Sequence, residues 1–187
     1  SKNLKRLVLI ILGAIAALYL NNASFLARPI GTQPVLVAHR GLAQDFDRTG
    51  LTHDTCTAAR MLPTPHEHLE NTIASMEAAF DYGADFVELD IHPTTDGHFA
   101  VFHDWTVECR TEGTGVTREH SLASLQALDI GYGYTPDGGQ TYPFRGKGVG
   151  LMPSLAEVLD TFPDRNLIIN IKSNDPSEGE RLADRLA

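Results

Sequence analysis

Four short apolar stretches of this 187-residue sequence each run into polar or charged residues. Residues 35–38 are followed by His39-Arg40-Gly41. Glu88 and Asp90 stand at i, i+2 within 86–91, so on a strand both carboxylates point to one face while Val87, Leu89 and Ile91 point to the other. The stretch 99–102 leads into His103-Asp104, and 167–171 carries Asn170 with Lys172 two residues on. An isolated acid on a strand is most often solvated. Four strands in succession that all end this way fit a site built at the carboxyl ends of parallel strands.

Residue type then suggests the chemistry. Two carboxylates on one face of a strand offer oxygen ligands to a hard divalent cation, Mg²⁺ or Ca²⁺. His39 and His103 offer a general acid and a general base, because imidazole titrates near neutral pH. Arg40 is a bidentate clamp for an anionic oxygen and Lys172 a point charge. Together these groups suit attack at a phosphodiester, with the metal offsetting the local acidity. Glu70 either binds that metal or orients His39, or is simply a first-turn carboxylate favoured by the helix dipole. Asn71 is either a helix cap or a site residue. His53, His66, His68, His92, His98 and His120 end no strand and are read as non-catalytic, with His66-Glu67-His68 either a second metal site or none. Trp105 packs either against an alcohol leaving group or in the ordinary way, and Asp104 holds His103 or its loop in place.

The elements that must position these residues are legible from periodicity and caps. Ile73, Met76 and Phe80 share a helical face behind Asn71 or Thr72 as cap, and Ser121 caps a helix carrying Leu122 and Leu125. Ser154 with Glu157 forms a capping box ahead of Leu155, Val158, Leu159 and Phe162, and Ser177 with Glu180 repeats it ahead of Leu182 and Leu186. Strands alternating with helices imply βα units around a parallel sheet. Asp96-Gly97 leaves no room for a helix, so the strands it joins are antiparallel or irregular. Residues 42–69 and the glycine-rich 131–150 read as long functional or mobile loops.

Composition is that of a globular chain, with 42% hydrophobic and 21% charged residues and a formal charge of −9. The acidic balance argues against a nucleic-acid partner. Lys2, Lys5 and Arg6 precede an apolar run from Leu7 to Leu20, which reads either as a cleaved export signal or as an uncleaved membrane anchor over 7–26; a buried core helix is the plain alternative. The expected organisation is a signal or anchor over 1–30 and one domain over 31–187. Positive charge at the start keeps the N-terminus cytoplasmic and exports the rest to the periplasm or cell surface, touching the membrane through this segment only. Without those three cations the remaining chain carries −12. In an oxidising compartment, Cys56 and Cys109 pair as a disulfide or remain two free thiols.

The ordered set His39-Arg40-Gly41, Glu70-Asn71-Thr72, Glu88-Leu89-Asp90 and His103-Asp104 resembles the glycerophosphodiester phosphodiesterase family. Residues 152–159 followed by Ile169-Asn170-Ile171-Lys172 extend the resemblance over about residues 35–175. It implies a (β/α)8 TIM-type barrel that hydrolyses small glycerophosphodiesters to glycerol 3-phosphate and an alcohol with a divalent metal, Ca²⁺ or Mg²⁺. By the same resemblance His39 and His103 are the catalytic pair, Glu88 and Asp90 bind metal, and Arg40 and Lys172 hold the phosphate. The family usually carries a metal-binding Glu where this chain has Asn170, whose carbonyl still coordinates with one less negative charge. It usually has Pro in place of Leu69, and a shorter span between His39 and Glu70. The alternatives are a phospholipase-type enzyme acting on membrane lipid and an inactive cell-envelope binding protein. Beyond the N-terminal segment lie about 150 residues, against about 250 for a complete barrel. The sequence therefore predicts the first half of a barrel, with open sheet edges and poor stability in isolation.

Overall fold

A computed structural model describes residues 2–23, 26, 34–52 and 54–186. His53 and the expected boundary at 30/31 lie outside the described residues. The chain divides into two compact units, Ser1–Pro34 and Val35–Ala187.

The first unit holds helix α1 (Lys2–Asn21), none of whose residues is buried. Its mean hydropathy is 1.8 over an 18-residue window. Twenty residues at the helical rise span about 30 Å, the thickness of a bilayer's hydrocarbon core. The helix starts among the basic residues, and so is longer than the apolar run alone.

The second unit is built on four strands: β1 (Val37–His39), β2 (Phe86–Pro93), β3 (Phe99–Val101) and β4 (Leu167–Ile171). β2 is central. It pairs in parallel with β1 and β4, with His39 opposite Glu88 and Asn170 opposite Asp90. β3 folds back antiparallel to β2 through Asp96-Gly97. That hairpin matters for the site: β2 overshoots its parallel neighbours, and β3 returns the chain until the Phe102 N–H donates to the Asp90 carbonyl. His103 thus reaches the level of the β2 carboxylates from an antiparallel strand, a different route from the parallel-strand ends that the sequence suggests.

Alternation along β2 separates core from site. Val87, Leu89 and Ile91 are fully buried with Met76, Phe80, Leu155, Val158 and Phe162. Each such side chain contributes about 1.5–3 kcal/mol of hydrophobic stabilisation. These partners come from α2 (Ile73–Asp81), α4 (Leu155–Thr161) and the C-cap of α4, Phe162. Thr72 caps α2, its hydroxyl accepting from the Ser75 N–H while Ser75 returns the bond; Ser154 and Glu157 form the same box on α4. Asn71 does not cap, because its amide is engaged with Asp90.

Two expectations are corrected. β1 starts at Val37, because the ladder to β2 is set by the Asp85 and Phe86 N–H groups donating to the Leu36 carbonyl. The last helix, α5 (Pro176–Leu186), begins ahead of the expected Ser177 cap: the Asp175 carboxylate accepts the Ser177 N–H, so Ser177 lies inside the first turn.

A second core lies under the long connections, where Met61, Leu69, Phe102, Val107, Leu125, Tyr134 and Phe144 pack together with the two cysteines against them. Cys56 and Cys109 are joined in a disulfide that ties the 42–69 segment to the chain after His103. The Gly133 N–H donates to the Arg110 carbonyl, and a Cβ at Gly133 would lie 1.9 Å from the Cys109 oxygen, so only glycine lets the 131–150 segment close on this crosslink.

Candidate active site

The His39-Arg40-Gly41 corner is shaped by backbone geometry. Arg40 has φ +62° and Gly41 φ +76°. A Cβ on Gly41 would approach Ser75 Oγ to 2.5 Å and the Ser75 carbonyl oxygen to 2.8 Å, so the turn can nest on the first turn of α2 only with glycine. A non-glycine residue in the left-handed region is uncommon, and the Arg40 side chain held in it reaches Glu70 and Asp90.

Asp90 is the hub. It is fully buried, and four donors surround its carboxylate. Asn71 Nδ2 donates to Oδ2 at 3.1 Å and Asn170 Nδ2 to Oδ1 at 2.9 Å. Arg40 Nε lies 3.2 Å from Oδ2 and Lys172 Nζ 3.3 Å from Oδ1. Burial pushes the Asp90 carboxyl up, but the Asn71 bond and the charges of His103, Arg40 and Lys172 outweigh it and hold it below the usual range. Its neighbour Glu88 goes the other way: burial first, and then the Asp90 charge, raise its carboxyl, with only partial relief from His39 and Arg40. Its Oε2 accepts the Arg40 N–H at 3.2 Å and lies 3.9 Å from His39 Nε2.

His39 is largely exposed, with 70% of its side chain accessible. His103 Nδ1 sits 2.6 Å from Asp104 Oδ1, which fixes the ring and leaves Nε2 free for chemistry. Burial raises the Asp104 carboxyl, yet Arg110 and then His103 outweigh it and hold it at about 2. His39, Arg40, Glu70, His103 and Asp104 line one cavity of about 550 Å³. His103, Asp104, Trp105, Lys172 and the disulfide line another of about 540 Å³. The structure thus brings together His39, Arg40, Glu70, Glu88, Asp90, His103, Asn170 and Lys172.

Several other residues take different places. Glu70 faces two guanidinium groups, Arg40 Nη1 at 3.0 Å and Arg110 Nη2 at 3.3 Å. His66 and His68 lie with ring centroids 5.5 Å apart, but Glu67 does not join them: it pairs with Lys147, and His66 Nδ1 lies 3.2 Å from Gln44 Nε2. Trp105 carries the Arg118 guanidinium 4.3 Å from its ring centroid and the edge of His92. His92 is buried, its Nε2 3.4 Å from the His103 carbonyl oxygen; burial pushes its imidazole down to about 4, so it is neutral near pH 7. Sequence reasoning missed Arg110, which is buried between Asp104 and Glu70. Its one sequence signal is its place directly after Cys109.

For a divalent cation, the donor set is the test. Among the described residues no three His, Cys, Asp or Glu side chains cluster to hold a metal. The site offers two carboxylates, Glu88 and Asp90, with the Asn170 amide beside Asp90. These are hard oxygen donors suited to Mg²⁺ or Ca²⁺, and the raised Glu88 carboxyl marks a place where added positive charge is favourable.

A Bacillus subtilis glycerophosphodiester phosphodiesterase is 40% identical over 114 residues, covering 59% of this chain and 38% of that protein. The crystal structure of a glycerophosphodiester phosphodiesterase from Agrobacterium tumefaciens matches with TM-score 0.54 and 27% identity, over 82% of this chain and 54% of that one. An Oleispira antarctica phosphodiesterase in complex with the product sn-glycerol-3-phosphate matches with TM-score 0.53 and 26% identity, over 82% and 50%. The fold is α/β, with the sheet of a partial TIM-type barrel. The chain spans about two fifths of the length of the curated relatives it matches and about half of the solved chains. The glycerophosphoryl diester phosphodiesterase family model matches residues 39–184, from the first histidine of the site to the last helix, and the chain belongs to that family.

Proposed function

We propose that the protein hydrolyses glycerophosphodiesters to glycerol 3-phosphate and an alcohol, with His39 and His103 as the acid–base pair. The observation that carries this reading is the single cavity lined by His39, Arg40 and His103, with Arg40 reaching Asp90 behind it. Similarity to an enzyme whose structure holds sn-glycerol-3-phosphate supports it.

In this reading the phosphodiester binds with its charged oxygens toward Arg40 and Lys172. Asp90 holds both side-chain cations in place. One histidine takes the proton of the attacking oxygen and the other gives a proton to the departing alkoxide, so the phosphorus exchanges one P–O bond for another and the proton count balances. Asp104 fixes the His103 tautomer, so that Nε2 does the proton transfer. Glu88, Asp90 and Asn170 would hold the divalent cation, Ca²⁺ or Mg²⁺, with Asp90 exchanging an Oδ1 donor for it, and the cation would supply charge neutralisation at the non-bridging oxygens. The N-terminal segment over 1–30 serves as an export signal or membrane anchor, and 31–187 carries the enzymatic part on the periplasmic or outer side. Its apolar helix supports that placement.

The test is release of glycerol 3-phosphate from glycerophosphocholine by the intact protein, with and without EDTA. His39→Ala and His103→Ala are expected to lose about 100- to 10,000-fold in kcat. Activity indifferent to either substitution sinks the histidine mechanism, and activity indifferent to EDTA sinks the metal. Turnover of vesicle lipid with no release from soluble diesters favours a phospholipase instead. A folded, metal-loaded protein active on neither is a binding protein.

A further inference from the structure

Arg110 is 2% exposed and lies outside the strand-end residues from which the site is read. A buried guanidinium is costly to desolvate, and apolar residues of similar volume usually stabilise a core at least as well. One carboxylate would neutralise it. Arg110 has two, and each holds a different part of the site. Its Nε lies 2.9 Å from Asp104 Oδ2, while the other oxygen of Asp104 lies 2.6 Å from His103 Nδ1. Its Nη2 lies 3.3 Å from Glu70 Oε1, the same oxygen that accepts from Arg40 Nη1 at 3.0 Å.

The remaining donors anchor the guanidinium to the scaffold. Nη1 donates to Tyr134 Oη at 2.6 Å and Nη2 to Thr57 Oγ1 at 2.8 Å. Thr57 and Arg110 each directly follow one of the bonded cysteines. The crosslink therefore fixes the backbone on both sides of the Thr57–Arg110 bond.

We infer that Arg110 is a positioning residue that orients His103 through Asp104 and Arg40 through Glu70, with the Cys56–Cys109 disulfide locking it in register. The inference rests on the proposed roles of His103 and Arg40. A planar fork is required, because the two carboxylates lie against different nitrogens of one guanidinium. An ammonium at the same position is a point charge that cannot hold both in fixed orientation.

The test uses Arg110→Lys in the full chain, which keeps the buried charge and so favours folding, with Arg110→Met as the charge-removing companion. NMR of the histidine ring protons reads the His103 Nδ1–H bonded to Asp104. Arg110→Lys is expected to abolish or broaden that resonance and to lower kcat about 10- to 100-fold, the range seen when a partner orienting a site residue is lost. Because the Asp104 arm is already broken in Asp104→Asn, adding Arg110→Lys there should lower kcat by less than Arg110→Lys does alone, the remainder running through Glu70 and Arg40. Leu125→Ala, a cavity in the same core cluster, separates positioning from stability: it should lower the melting temperature yet keep the His103 resonance and kcat. An Arg110→Lys protein that keeps the resonance and a kcat within about twofold of wild type overturns the inference. So does a Leu125→Ala protein that loses both. If the wild-type protein releases no glycerol 3-phosphate, the hydrolase reading fails, and the His103 resonance still decides the role of Arg110. Should Arg110→Lys not fold, Asp104→Asn compared with Thr57→Ala decides the same question. The first must remove the resonance, the second must weaken it, and a resonance intact in Thr57→Ala counts against the anchoring.

Discussion

Asp90→Asn is nearly isosteric, yet the structure predicts a severe defect. All four groups around the carboxylate, Asn71 Nδ2, Arg40 Nε, Asn170 Nδ2 and Lys172 Nζ, are donors. Either orientation of the new amide turns its NH2 group toward two donors. Only the Asn170 amide can flip to accept. The two cations also lose their partner at 3.2 and 3.3 Å. Each contact is worth about 5 kcal/mol of Coulomb attraction at an effective dielectric constant near 20, much of it cancelled by desolvation of the buried carboxylate. Removing one member of a buried pair costs about 3–5 kcal/mol net. At about 2–4 °C per kcal/mol for a domain of this size, the melting temperature should fall by roughly 6–20 °C. The assay is urea and thermal unfolding of the intact protein in EDTA, so that the side-chain network alone is measured. Asp90→Asn combined with Asn170→Asp returns a carboxylate to the adjacent strand beside Lys172 and should recover part of the loss. A cost below about 1 kcal/mol for Asp90→Asn, smaller than that for an ordinary buried-pair truncation, would refute the hub.

Three further outcomes follow from named contacts. Gly41→Ala should cost about 2–4 kcal/mol, combining left-handed strain with the clash on Ser75, and a urea midpoint within error of wild type would contradict the turn geometry. The depressed Asp104 carboxyl makes stability present above pH 3.8 and lost as pH falls toward 2, worth about 2 kcal/mol; in Asp104→Asn that part of the acid slope should vanish from the urea midpoints, and an unchanged slope would show that the Arg110 pairing contributes no stability. Reducing the crosslink, or Cys56→Ser, reopens a loop with a sequence separation of 53 residues and should lower stability by about 4 kcal/mol in the chain-entropy model; equal stability of reduced and oxidised protein would argue that the second core holds the loop unaided.

Local patterns made much of this molecule readable. Alternation on β2 sorted Glu88 and Asp90 from Val87, Leu89 and Ile91, because side chains on a strand must alternate faces. The Ser154–Glu157 box marked a helix start, because the unpaired N–H groups there need acceptors within three residues. The Ser177 box failed on the same physics: Asp175 offered a competing acceptor just upstream. His103 was placed at the right end of the sheet, although the hairpin through Asp96-Gly97 brings it there antiparallel to β2.

The sequence by itself determined which chemical groups are present, their order, and the face of each strand on which they lie, since these depend on backbone periodicity over a few residues. Only the tertiary structure decided their partners. Asp90 meets Asn170 across 80 residues and Arg40 meets Glu70 across 30. Arg110 reaches Thr57 across 53 residues, through a core that places both. Ion pairs and hydrogen bonds act over a few ångströms of space, so packing settles whether a charge faces a cavity, clamps a neighbour or fixes an imidazole ring.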